Sequence, residues 1–231
     1  MITSTGKTRR LFIVRHGQSE GNVNPKLYLT KNDCDISLTN KGERDAINAA
    51  KKIMEINDTI HKESCERIGY NLPSPPLVCN IYTSPYKRAS HTANIILDYM
   101  KSHDRINVNK FIENPLLRER EWGGLRNIKN SGESCENHFN FYYRPVGGES
   151  FADGYQRAVI FDQWLLNHNN YEDAIIVAHG EFNKLYMMNL LGWTISEFEH
   201  WRNSKNGEVF YICDNKLSSY TPLTPRRLIN N

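Results

Sequence analysis

The chain is short of the features that would place it outside a cell, in a membrane or on nucleic acid. Cysteine is scarce, with five in 231 residues (Cys34, Cys65, Cys79, Cys135 and Cys213). The number is odd, and no pair is spaced as CxxC or as a zinc cluster. Neither a disulfide framework nor a structural zinc site is expected, and the thiols are read as free ones in a reducing compartment. No run of 18 apolar residues occurs, which excludes a hydrophobic membrane-spanning helix. The opening stretch "MITSTGKTRR" carries basic residues, but the apolar stretch after it is too short for a signal peptide, so a cytoplasmic location is expected. Charge of one sign is also lacking. A net +3 is too small to imply nucleic acid by itself, although it is compatible with a local basic pocket for an anion. No internal repeat is visible.

Apolar residues are plentiful enough for a sizeable core, at 39% of the chain with 11% aromatic. Strand and helix signals alternate. "RLFIV" (10–14) is a continuous apolar run of the kind found in buried parallel strands. Ala46, Ala49, Ala50, Ile53 and Met54 recur at helical spacing and predict a helix over 41–56. The stretch 57–76, with its late prolines, reads as a surface insert. "LVCNIYTS" (77–84) predicts a second strand. Ser84 is expected to cap, and Pro85 to begin, a helix over 85–101. A weaker strand is expected at 105–111 and an irregular stretch at 113–148. A helix capped by Ser150 follows, then the strand "AIIVAHG" (174–180), a helix through Leu191, a short helix in "ISEFEHW" and a closing strand at 208–213. Residues 1–9 and about 216–231 read as loose tails of a single domain over 1–231. The pattern predicts an α/β fold, a three-layer sandwich with a mostly parallel central sheet and helices on both faces.

Ligands in such folds bind beyond the carboxyl ends of the strands, and chemically active residues collect there. Arg15-His16 ends the first strand, Ser84 the second with Arg88 one turn onward, and His179 the strand from Ala174. If those strands are neighbours, two arginines and two histidines converge on one point. Guanidinium groups bind phosphate oxygens bidentately and stay charged. An imidazole whose far nitrogen is fixed can attack phosphorus. Gly17 and Gly180 permit tight turns that bring backbone N–H groups near the anion. Bland alternatives exist for each residue. A histidine after a strand is often structural, and a histidine pair can ligate metal, although adjacent arginines repel a cation. Arg88, Arg126 and Lys129 could be solvated charges. Arg144 lies in the irregular stretch expected to cover the pocket, where it could touch substrate. The aromatic "HFNFYYRP" (138–145) reads as a lid, with Gly147-Gly148 as its hinge.

These pieces resemble a known family. "RHGQSEGN" is similar to the RHGxxxxN signature of the histidine phosphatase superfamily, the phosphoglycerate-mutase-like proteins. "TSPYKRASHTA", "LLREREWGGL", "GGESFADGYQR" and "IIVAHG" resemble further family segments, in the family's order. The likeness runs from about Leu11 to Cys213. It implies that His16 is the nucleophile that becomes phosphohistidine, and that Arg15, Arg88 and His179 hold the phosphoryl oxygens. It further implies that Glu119 is the general acid and base and Asn22 another phosphate donor, with no metal required. The implied activity is hydrolysis of small phosphate monoesters. A phosphoglycerate mutase needing a 2,3-bisphosphoglycerate primer, and a non-catalytic phospho-ligand-binding protein, are the alternatives. The cover between Glu119 and His179 is shorter and less basic than in mutases. Glu181 stands where mutases typically carry asparagine, and its carboxylate is expected to repel an anionic substrate tail. The expected partners are a small phosphorylated metabolite and a second copy of the chain in a homodimer, with neither nucleic acid nor membrane.

Overall fold

The protein is seen in a computed structural model that describes residues 9–127, 139–169 and 173–217. Six strands form one sheet: β1 (Arg10–Arg15), β2 (Leu77–Thr83), β3 (Ile106–Glu113), β4 (Asp173–Ala178), β5 (Val209–Cys213) and β6 (Lys216–Leu217). Their order across the sheet is β3-β2-β4-β1-β5-β6. The first four run parallel, while β5 is antiparallel to β1 and β6 to β5. The mostly parallel expectation therefore holds.

The continuous apolar runs follow from burial on both faces of the sheet. Along β1, Leu11 and Ile13 pack into one apolar cluster and Phe12 and Val14 into the other. On the Phe12 side lie α2 (Asn40–Arg67) and α3 (Lys87–Lys101). On the Leu11 side lie α4 (Phe151–His168) and α5 (Gly180–Leu191). Two shorter helices, α1 (Glu20–Val23) and α6 (Ile195–His200), sit near the carboxyl ends of the strands. No helix among the described residues is long and apolar enough to cross a membrane.

Four local expectations are corrected. Helix α2 continues to Arg67, so the first eleven residues of the expected insert 57–76 are helical. Polar residues mask the period there, yet Cys65 is buried and Asn57 donates to Ser74 Oγ and the Pro75 carbonyl. The helix ends before Gly69, whose φ of 76° suits a glycine. Ser84 does not cap α3. The cap is Tyr86, without a side-chain bond, and the Ser84 hydroxyl is used elsewhere. Arg9 is no loose end, since it reaches Asp162 (2.5 Å) and Tyr186 (3.0 Å). At the other end, Lys216 and Leu217 pair with β5. The rest of both expected tails, together with Lys129 and Cys135, lies outside the described residues. The four described cysteines carry free thiols.

Candidate active site

Strand register sets the site. Arg15 is level with Ala178 across β1 and β4, and Thr83 with Val177 across β2 and β4. Backbone bonds carry this alignment one residue further, from the His16 N–H to Ala178 and from the Ser84 N–H to Val177, both 3.0 Å. Three adjacent strands thus stop together, and the side chains that follow them meet.

The His16 ring is fixed by its own loop. Its Nδ1 lies 2.7 Å from the Gly17 carbonyl, which can only accept, so Nδ1 carries the proton. The Arg88 Nε–H donates to Nε2 across 3.2 Å. Nε2 therefore holds the lone pair, on the side where the cation sits. Burial, then Arg88 and Arg15, hold the His16 pKa well below that of a free imidazole. The loop itself is wedged. A Cβ on Gly17 would stand 2.0 Å from the Gly42 carbonyl oxygen, and one on Gly42 would stand 2.0 Å from that of Gln18. Backbone presses on backbone here, and only glycine fits either position.

His179 lies beside it, ring centroids 5.2 Å apart. Its Nε2 is 2.9 Å from the Ser84 hydroxyl, which also accepts the Tyr86 N–H at 3.2 Å. Its Nδ1 is buried and has no partner. Burial again dominates, with Arg88 next, and pushes the His179 pKa well below the usual value. A neutral ring with one buried, unsatisfied nitrogen is costly unless an anion arrives to use it.

The two arginines are held from behind. Arg88 places Nη1 on the Asp33 carbonyl (2.6 Å) and carboxylate (2.7 Å). Arg15 donates Nη1 to the Ser204 carbonyl, and its Nε is buried without a partner. A Cβ on Gly180 would come within 3.3 Å of that guanidinium, so glycine lets the arginine lie against the start of α5. Asn22 Oδ1 accepts from Ser19 N, Ser19 Oγ and Asn206 Nδ2, each at 3.0 Å. With its oxygen so occupied, the amide nitrogen is the donor left for a ligand.

Glu119 reaches the site through the backbone. Its carboxylate accepts from Phe182 N (3.0 Å), Glu181 N (3.3 Å) and Arg120 N (3.0 Å). Burial, followed by the charge of Glu181, raises its pKa despite those bonds. A carboxyl that keeps its proton more readily is suited to acid work. Arg157 clamps the segment that carries it, donating to the carbonyls of Leu116 (2.8 Å) and Arg118 (2.7 Å) while paired with Glu149.

Arg15, His16, Asn22, Arg88, Glu119 and Gly180 all line one cavity of about 750 Å³, and His179 lies buried against His16. Arg144 does not reach it. That side chain is two-thirds exposed and pairs with Asp153, whose carboxylate also accepts from the Ser150 cap of α4. The expected lid is anchored too: Phe141 is buried against Phe151 and Phe198, while Phe139 lines the cavity. Glu181 is not the free carboxylate expected from its position, because Arg120 Nε holds it at 2.6 Å. Among the described residues no cluster of three or more His, Cys, Asp or Glu could hold a metal. Sequence reasoning missed Asp33, Ser204 and Asn206, whose contacts to the site span dozens of residues or more and have no period. Arg157 was present in the segment "GGESFADGYQR" without a role.

Residues 11–213 match the family profile described as the histidine phosphatase superfamily, branch 1. The chain is 28% identical over 214 residues to the phosphoglycerate mutase-like protein AT74 of Arabidopsis thaliana. That match takes in 87% of this chain and 63% of that protein's length. It is 23% identical over 297 residues to the broad-range acid phosphatase DET1 of Saccharomyces cerevisiae, covering 94% and 89%. Among solved structures, the alpha-ribazole phosphatase of Shigella flexneri superposes with a TM-score of 0.61 at 22% identity, covering 92% of each chain.

Proposed function

The chain belongs to the histidine phosphatase superfamily, and from that premise we propose that it hydrolyses phosphate monoesters through a phosphohistidine. The observation that carries this reading is the His16 ring, with Nδ1–H tied to Gly17 and the Nε2 lone pair beside Arg88. In the first step Nε2 attacks phosphorus and the bond to the leaving oxygen breaks, as Glu119 gives that oxygen its proton. In the second step water attacks phosphorus, its proton passes to the Glu119 carboxylate, and the P–N bond breaks to release phosphate. Arg15, Arg88, Asn22 and a protonated His179 spread the negative charge of the phosphoryl oxygens. The phosphate dianion supplies what His179 lacks, because a proton on its unsatisfied Nδ1 gains an acceptor. The sequence written this way draws on no metal ion.

A mutase is the second reading, favoured by Arg126 and Lys184 in the cavity lining. Hydrolysis is preferred because both cations are engaged. Arg126 is paired with Asp33 at 2.6 Å, and Lys184 lies 4.2 Å over the Phe198 ring. Hydrolysis of a panel of monoesters, run beside mutase assays with a bisphosphoglycerate primer, separates the two. His16→Ala should abolish turnover and phosphoenzyme labelling, and full activity in that variant overturns the mechanism. Glu119→Gln should slow alkyl phosphates far more than an activated aryl phosphate. Primer-dependent isomerisation faster than hydrolysis would make the protein a mutase.

A further inference from the structure

The cavity has two unlike halves. The phosphate half is cationic and polar, as described. The other half of the lining is an apolar wall, with Trp122, Leu125, Phe139, Phe151, Phe198 and Trp201. These come from four separate parts of the chain, so the wall belongs to no single amphipathic element.

The wall is held from behind. The Arg120 guanidinium, 1% exposed, lies 4.1 Å from the Phe151 ring and 5.2 Å from that of Trp122. Phe151 and Phe198 pack 5.3 Å apart, with Phe141 against both, and Trp193 supports Trp201 at 4.7 Å. Aromatic groups supported in this way do not need to collapse across the cavity to be buried. Of the charged groups at this end, Glu181 is held by Arg120 and Lys184 lies over Phe198, while Glu199 lines the cavity from an exposed position and disfavours an anionic ligand body. A volume of about 750 Å³ falls within the roughly 300–1,000 Å³ of pockets that hold drug-sized ligands. A three-carbon phosphate ester would leave most of it to water.

Resting on the hydrolytic reading above, we propose that this half is the leaving-group subsite and that it selects monoesters of alcohols with an uncharged aromatic or fused-ring body. Such a group stacks on the half-buried Trp122 and Trp201 while its ester oxygen meets Glu119, and Phe198, buried with Lys184 over its ring, backs the wall. Apolar surface that leaves water on binding favours the transition state and the ground state alike, so the preference appears in kcat/KM.

The test compares 2-(1-naphthyl)ethyl phosphate, ethyl phosphate and 3-phosphoglycerate. The first two have leaving alcohols of similar basicity, so their difference reports the subsite. The naphthylethyl ester should exceed ethyl phosphate by at least about 30-fold in kcat/KM. Trp122→Ala and Trp201→Leu should each cut that ratio by at least about fivefold, while Tyr70→Ala, exposed beyond the end of α2 and outside the cavity lining, should leave it unchanged. Free 2-(1-naphthyl)ethanol should compete with substrate in the wild type, where ethanol does not, which keeps the test decisive if a wall variant fails to fold. Turnover of all three esters with a ratio below about 3, and no competition by the alcohol, overturns the subsite and leaves hydrolysis standing. No turnover of any ester, and no phosphoenzyme, overturns hydrolysis itself.

Discussion

Acid should destabilise the unliganded protein through two residues. Burial and neighbouring cations lower the pKa of His16 and of His179. In the unfolded chain both take a proton as pH falls through about 6.5. Below that point the unfolded state binds more protons than the folded one, so stability is present above it and falls as pH falls. Glu119 acts in the opposite direction, since its raised pKa lets the folded state gain protons first. If both rings stay neutral in the fold, acidification from about pH 8 to about pH 5.5 costs between 1 and 2 kcal/mol per histidine. The pair together costs about 3 kcal/mol, which for a chain of this size lowers Tm by roughly 6–12 °C. Thermal unfolding at the two pH values, in buffer free of phosphate, measures it. Replacing both residues (His16→Asn with His179→Gln) should remove most of the drop, whatever it does to stability at pH 8. Saturating inorganic phosphate should also shrink it, because the anion favours protonated rings. A wild-type drop under about 2 °C, or a full drop retained in the double variant, would refute the electrostatic account.

Three further outcomes follow from the geometry. Ser84→Ala removes the partner of His179 Nε2 and should lower kcat/KM by roughly 10- to 100-fold without changing the circular dichroism spectrum. Gly180→Ala sets a methyl group 3.3 Å from the Arg15 guanidinium. The arginine must then shift, and KM for a simple monoester should rise about tenfold with the fold intact. Asp33→Asn keeps the carbonyl that orients Arg88 but deletes a negative charge beside the phosphate subsite, so inorganic phosphate should inhibit roughly three- to tenfold more tightly. Weaker inhibition in that variant would show that the carboxylate, rather than the carbonyl, positions Arg88.

What could be read in the sequence was what local pattern encodes. "LFIV" and "AIIVA" announce themselves because a strand buried on both faces has no polar alternation to hide it. The residues that follow them, Arg15-His16 and His179, stand out for the same reason. The Ser150 cap was legible because a capping box is complete within four residues, and the structure contains it. The second half of α2 was not legible, because "NDTIHKES" presents a mostly exposed face and the buried Asn57 and Cys65 do not look like core. The use of Ser84 was invisible for a different reason. Serine before proline is a good helix start on local grounds, and only the juxtaposition of β2 with β4 assigns its hydroxyl to His179. Arg144 shows the converse error, since position in an irregular stretch says nothing of which carboxylate lies nearby, and Asp153 was nine residues away.

The contact between Gly17 and Gly42 has a consequence for anyone mapping this protein by saturation mutagenesis. A screen scored on turnover alone would find position 42 as intolerant as position 16, although Gly42 has no side chain and touches no substrate. Replacing both glycines together would not rescue either, because each obstructs a different carbonyl. The two positions should separate only when abundance is scored beside turnover. His16 variants would then be plentiful and inert, and Gly42 variants scarce. The start of α2 is thus a tooling jig for the nucleophile: it does no chemistry, and it allows no play.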